Sequence, residues 1–299
     1  MTSPGSSAPF TIAPPGFRLP PELGLGRVRL EVADLARSQA YYQQVLGFET
    51  RERGGGRATL GAAGDHAPLV ELRERPGARP VPRRGRLGLY HFAILLPTRA
   101  ALGRFITHLE AIGVRPGMSD HLVSEAVYLT DPDGLGIEVY ADRPRTAWRV
   151  YAGDLAMAVD ALNVEDLREA AGGEPWSGAP AGTRVGHVHL HVGDLDQAEA
   201  FYHRALGLEK VRVRLPGALF LSAGGYHHHL GLNTWAAGAP RAGEGDARLL
   251  EWTIEVPARA DIEGAARSLA AAGYVVTRAG DDAVAADPWG TGVRVTFRR

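Results

Sequence analysis

The sequence predicts an α+β fold made of four βαβββ units, and three observations lead to that class. Residues 25–49, "LGRVRLEVADLARSQAYYQQVLGFE", and 185–209, "VGHVHLHVGDLDQAEAFYHRALGLE", repeat one pattern: an alternating strand, an Asp-Leu helix start and an amphipathic helix ending at Leu-Gly. A weaker pair, "LYHFAILLPTRAALGRFITHLEAIG" from Leu89 and "LEWTIEVPARADIEGAARSLAAAG" from Leu250, runs from a strand through Pro97 or Pro257 into a second helix. Two Asp-Pro-x-Gly turns, at 131–134 and 287–290, each divide a pair of strand candidates. Internal similarity of this length implies duplication.

In chain order, residues 1–24 are rich in Pro, Gly and Ser and read as an extended arm. In the first unit Asp34 is placed to cap the helix and Gly47 to end it, followed by the strands "RATLGA" and "LVELRER". The glycines at 54–56 lie outside any strand–loop–helix setting and read as a hairpin turn rather than a phosphate loop. The second unit's helix ends at Gly113, before "AVYLTDPDGLGIEVY". Residues 143–182 connect the halves, with a helix expected near "VEDLREAA". The third unit uses Asp194 and Gly207 as its caps, then "ALFLSAG" and "HHHLGLNTW". The fourth unit's helix ends at Gly273, before "AVAADPWGTGVRVTF". The units group as 25–142 and 183–299.

Composition narrows function. The 299 residues contain 45% hydrophobic residues, enough for a large core, and carry a formal net charge of −1. That balance argues against a nucleic-acid partner. With no cysteine in the chain, thiolate metal sites, disulfides and a Cys nucleophile are excluded. No apolar run reaches the ~18 residues a membrane helix needs, and the N-terminus lacks a signal-peptide pattern, so no membrane partner and a cytoplasmic location are expected.

The four units, with "LYHFAILLP", "DHLVSEAVYLTDPDG" leading into "GIEVYADRP", and "GGYHHHLGLNTW", resemble the vicinal oxygen chelate superfamily (glyoxalase/bleomycin resistance/extradiol dioxygenase). Within it they resemble the bacterial catechol 2,3-dioxygenase-like proteins. The resemblance spans roughly residues 25–299. It implies that the units pair into two curved, mixed-sheet cups. It also implies a divalent metal held by residues from the first and last strands of paired units, with one His from each of two first strands and one Glu from a last strand.

Those positions hold Arg27 and Glu71 in the first unit, His91 and Glu138 in the second, His187 and His229 in the third, and Glu251 and Arg294 in the fourth. Pairing the second unit with the third brings His91, Glu138 and His187 together and leaves the arginines in the other cup. Pairing neighbours instead leaves neither half with a complete set. The crossed pairing is therefore expected, and it accounts for Glu138, a carboxylate between Ile137 and Val139 in an apolar strand. A buried carboxylate is costly unless a cation meets it. Tyr128 lies ten residues before Glu138 and His121 seven before Tyr128. The resemblance makes this Tyr a hydrogen-bond partner of bound substrate and this His an acid–base group. His229 is a candidate fourth ligand or cavity residue, and Asn233 and Trp235 are candidate cavity residues.

The implied activity is an Fe(II)-dependent extradiol dioxygenase that cleaves a catechol or hydroquinone-type aromatic with O₂, with Mn(II), Ni(II) or Zn(II) as alternative metals. Two other classes stay open at this point. One is a glyoxalase- or epimerase-like metalloenzyme with four ligands. The other is a metal-free protein that binds an aromatic or antibiotic. Homo-oligomer formation is compatible with each.

Overall fold

The computed structural model describes residues 8–298. Residues 1–7 of the expected arm lie outside the described residues. The rest of it carries β1 (Thr11–Ile12) and buries Phe10, Leu19 and Leu23.

Each unit follows the expected order. The first comprises β2 (Gly24–Val32), α1 (Leu35–Gln44), β3 (Glu49–Gly54), β4 (Arg57–Gly61) and β5 (Val70–Glu74). The second comprises β6 (Gly88–Leu95), α2 (Arg99–Ala111), β7 (Gly117–Asp120), β8 (Ser124–Thr130) and β9 (Gly136–Asp142). The connector holds a small ribbon, β10 (Val150–Tyr151) and β11 (Asp154–Leu155), and then α3 (Val164–Ala171). The third unit comprises β12 (Arg184–His191), α4 (Leu195–Ala198), β13 (Glu209–Val211), β14 (Ala218–Ser222) and β15 (Leu230–Asn233). Its helix continues past Ala198 as a π-helical stretch, Glu199–Ala205. The fourth comprises β16 (Arg248–Val256), α5 (Arg259–Ala271), β17 (Val276–Ala279), β18 (Asp282–Ala286) and β19 (Gly292–Phe297).

Local chemistry explains the boundaries. Asp34 and Asp194 accept the backbone N–H of Arg37 and Gln197, which satisfies donors that the first helical turn leaves open. Gly47 and Gly207 follow these helices at φ +66° and +96°, a region that favours a residue without Cβ. In each Asp-Pro-x-Gly turn the Asp carboxylate accepts two backbone N–H groups, Asp133 and Leu135 for Asp131, and Trp289 and Thr291 for Asp287.

The units pair in the crossed manner. One sheet has nine strands in the order β1-β13-β14-β15-β12-β6-β9-β8-β7 and joins the second and third units through antiparallel β6 and β12. The other has eight strands in the order β17-β18-β19-β16-β2-β5-β4-β3 and joins the first and fourth units through β2 and β16. The two cups thus cut across the sequence halves 25–142 and 183–299. Alternation along the strands divides the faces. Phe92, Ile94, Ile137, Val139, Val188 and Leu190 enter the main core with the helices. His91, Ala93, Glu138, His187 and His189 take the opposite, concave face.

Asp131 supports a stability prediction. Burial pushes its carboxyl up to about 7. In the unfolded chain an Asp titrates near ~3.9. The folded state therefore binds this proton more tightly, and stability is lost as pH rises from about 4 towards 7. In Asp131→Asn the amide oxygen still accepts both backbone N–H groups and nothing ionises. The variant should gain over wild type by about 3 kcal/mol more at pH 8 than at pH 5, as read by denaturant unfolding at each pH.

Candidate metal centre

Strand register builds the site row by row. Across the nine-stranded sheet, Tyr128 pairs with Glu138, Glu138 with Ala93, and Ala93 with His187. In the adjacent row His91 pairs with His189, His189 with Gly231, and Gly231 with Phe220. Ala93 is small and fully buried, which leaves room between Glu138 and His187 for side chains to converge. Two register shifts between β6 and β12 adjust the face. One leaves Gly186 unpaired where a Cβ would lie 1.9 Å from the Tyr140 hydroxyl. The other leaves Tyr90 unpaired, and its ring reaches the cavity beside His91, 4.7 Å between centroids. Bulges re-aim side chains in this way.

His91, Glu138 and His187 are all buried, and one ligand atom from each lies within 4.8 Å of the others. They are the one such cluster among the described residues. His187 Nε2 is 3.1 Å from Glu138 Oε2 and His91 Nε2 is 3.0 Å from the same oxygen. The His91 nitrogen is buried yet not aligned for a hydrogen bond to that oxygen, and it has no other partner among the described residues. Burial by itself would raise the Glu138 carboxyl, but His187 and then His91 outweigh it and hold the group ionised, well below the ordinary range. Burial pushes His91 below its ordinary value, so its ring is neutral. A neutral His91 ring and an ionised carboxylate that meet without a hydrogen bond, with His187 on the same carboxylate oxygen, are a fitting donor set for a divalent cation.

The cluster lies at one wall of a cavity of about 460 Å³. The other walls are largely apolar, with Met118, Met157, Val213, Leu215, Phe220 and Trp235. Tyr128 and His121 also line it. Burial, then Glu138, pushes the Tyr128 phenol well above its ordinary value, so it stays protonated. The Tyr128 hydroxyl is 2.5 Å from His121 Nε2, and His121 Nδ1 is 2.7 Å from the carbonyl of Ala158. A carbonyl only accepts, so Nδ1 carries the hydrogen and Nε2 accepts from Tyr128. The connector thus sets the His121 tautomer, a backbone contact that no side-chain pattern in the sequence announces.

The other sequence candidates fall in different places. His229, proposed as a fourth ligand or cavity residue, lies away from the cluster, with its ring 4.9 Å from that of Tyr226 and its Nδ1 accepting the Ala223 N–H. β15 begins only at Leu230, and by register the fourth position is Gly231, which His189 already crowds at 2.8 Å from a would-be Cβ. The chain before β15 does not follow strand alternation, and His228 rather than His229 reaches the cavity, with its ring 4.2 Å from that of His187. Asn233 is buried beneath the cavity and holds two rings, donating to His189 Nε2 and accepting from His191 Nδ1. Trp235 is part of the wall. Tyr90, His189 and His228 were not singled out by sequence as cavity residues.

Among the described residues the other cup holds no such ligand cluster. Register puts Arg27, Glu71, Glu251 and Arg294 at the positions of His91, Glu138, His187 and Gly231. Arg27 meets Glu71 at 3.2 Å, and Arg294 meets Glu251 at 2.7 and 3.1 Å. Guanidinium groups there neutralise the carboxylates. Arg143, just past the end of β9, pairs with Asp120 and Glu125.

Comparisons with known proteins bear on the family and the fold. The model of the Glyoxalase/Bleomycin resistance protein/Dioxygenase superfamily matches residues 24–139 and 184–294. A catechol-2,3-dioxygenase of Bacillus subtilis (strain 168) is 42% identical over 276 residues, covering 91% of this chain and 96% of its own length. A solved structure from Bacillus subtilis superposes with a TM-score of 0.63 at 15% identity, covering 94% of this chain and 86% of the other. Glyoxalase I from Zea mays superposes with a TM-score of 0.53 at 19% identity, covering 92% of each chain. At those identities the structural likeness concerns the fold alone.

Proposed function

This chain belongs to the glyoxalase/bleomycin resistance protein/dioxygenase superfamily, and on that premise we propose that it is an extradiol dioxygenase that opens the ring of a catechol or hydroquinone-type aromatic with O₂. The observation that carries the reading is the ligand count. His91, Glu138 and His187 supply two nitrogens and one carboxylate, and the fourth register position is Gly231. A three-residue face leaves positions open for substrate oxygens and O₂, as in the 2-His-1-carboxylate Fe(II) sites. A glyoxalase-like site with four ligands lacks its fourth residue here. The relative named catechol-2,3-dioxygenase supports the same choice.

Fe(II) held by His91, Glu138 and His187 would supply Lewis acidity towards the substrate's vicinal oxygens and a place for O₂ beside them. The protein's own residues do the rest. Tyr128 stands beside Glu138 with its hydrogen directed to His121, so its oxygen can accept a hydrogen bond from a substrate hydroxyl. His121 Nε2 can then take a proton relayed through Tyr128, the acid–base role assigned to it. The apolar walls admit a flat ring and exclude water, and they orient it against the ligand face. The cavity's size favours a ring-substituted catechol over the bare ring.

The test is oxygen consumption by iron-reconstituted protein given catechol and alkyl- or aryl-substituted catechols. One O₂ should be taken up per ring opened, with both oxygen atoms of ¹⁸O₂ found in the product. Absence of uptake with every diol, combined with turnover of a 2-oxoaldehyde thiol adduct by the Ni(II) or Zn(II) form, would transfer the chain to the glyoxalase-like class.

A further inference from the structure

The ring-opening scheme leaves two members of the histidine run, His227 and His228, without a role, yet they form a buried chain with Asp142. His227 Nε2 is 2.9 Å from Asp142 Oδ1, and His227 Nδ1 is 2.8 Å from His228 Nδ1. The His227 side chain is fully enclosed, whereas Asp142 retains 26% of its side-chain exposure. The Tyr226 hydroxyl also donates to Asp142, at 3.0 Å to Oδ2, and the Tyr140 hydroxyl lies 2.7 Å from that of Tyr226. Asp142 thus receives two hydrogens at the end of β9, four residues beyond Glu138. His228 lines the cavity, and its Nε2 has no hydrogen-bond partner among the described residues.

The direction of the chain follows from donor counting. An ionised Asp142 only accepts, so His227 carries its hydrogen on Nε2. A neutral His227 then has a bare Nδ1, and the short contact requires a hydrogen on His228 Nδ1. His228 is left with a bare Nε2. A cationic His227 would reverse this order. With both rings neutral, no other order satisfies both short contacts.

We propose that Asp142 and His227 are positioning residues that lock the tautomer of His228, so that His228 meets the bound molecule as a hydrogen-bond acceptor. The molecule that fits this wall carries an O–H or N–H there, besides the oxygens that reach the metal ligands. The inference rests on the dioxygenase reading only for where that molecule lies. The tautomers are properties of the metal-free protein.

They can be read directly by long-range ¹H–¹⁵N correlation of the imidazole nitrogens in metal-free, ¹⁵N-histidine-labelled protein. Wild type should show His227 protonated at Nε2 and His228 at Nδ1. Asp142→Asn keeps an oxygen that accepts from His227 and should preserve both tautomers, whereas Asp142→Ala should leave His228 a mixture. With iron loaded to equal content, Asp142→Ala should lose about tenfold in kcat/KM towards a catechol, and Asp142→Asn should recover most of it. A wild-type His228 protonated at Nε2 overturns the proposal without any variant. So does an Asp142→Ala protein with unchanged tautomers. Should the tautomers hold while no diol is turned over, the dioxygenase reading fails and the locked acceptor stands.

Discussion

Replacing Glu138 with Ala is expected to abolish iron retention. The carboxylate touches both His91 and His187, so its loss removes the one anionic ligand and the charge that balances a divalent cation. His91→Ala and His187→Ala should each lose one nitrogen and bind iron weakly. The effect of all three should exceed the ~10–100-fold that losing a hydrogen-bond partner of a ligand typically costs. The fold should survive, because the cluster lies on the concave face and the main core packs on the other. Arg27→Ala and Arg294→Ala should retain iron, since they belong to the ion pairs of the other cup. Iron stoichiometry after desalting, with circular dichroism to check folding, distinguishes the five variants. Iron content unchanged in all three ligand variants would remove the assignment.

The next-largest effect is expected at His121 and Tyr128. Both are proposed to handle protons and substrate rather than hold metal, so their loss should leave iron content near normal. His121→Ala should lower turnover by ~10²–10⁴-fold, the usual contribution of a positioned acid–base group. Tyr128→Phe removes a single hydroxyl and breaks the link to His121, but leaves the ring packed near His91. It should be milder and fall partly on KM. Oxygen uptake with a catechol, measured beside iron content, checks both. Full activity in His121→Ala would take it out of the mechanism and direct attention to His228, another cavity histidine without a ligand role.

Much of this architecture was legible because duplication leaves a repeated text. The Asp–Leu helix starts, the Leu-Gly stops and the Asp-Pro-x-Gly turns recur at matching places, and each has a local physical cause. The convergence of His91, Glu138 and His187 could be anticipated because the superfamily resemblance implies which strand positions face the cup, and those positions of the second and third units hold ligand-type residues. Gly231 was hidden for the opposite reason: a glycine at a ligand position has no chemical signature. The run His227–His229 misled because three consecutive histidines give no phase, and the strand that would set their parity begins one residue later. Tyr90 escaped because alternation sends neighbours to opposite faces, and a bulge that suspends alternation depends on the partner strand. The Ala158 carbonyl that fixes His121 belongs to the connector, where main-chain contacts depend on tertiary packing.

The most direct measurement is anomalous diffraction at the iron edge from crystals grown with Fe(II) under anaerobic conditions. The account predicts a single strong peak in the cup of the second and third units, about 2.0–2.2 Å from His91 Nε2, His187 Nε2 and a Glu138 oxygen. No protein ligand should approach from Gly231. A peak coordinated by four side chains, a peak in the other cup beside Glu71 and Glu251, or a cluster that stays empty at saturating iron would contradict it.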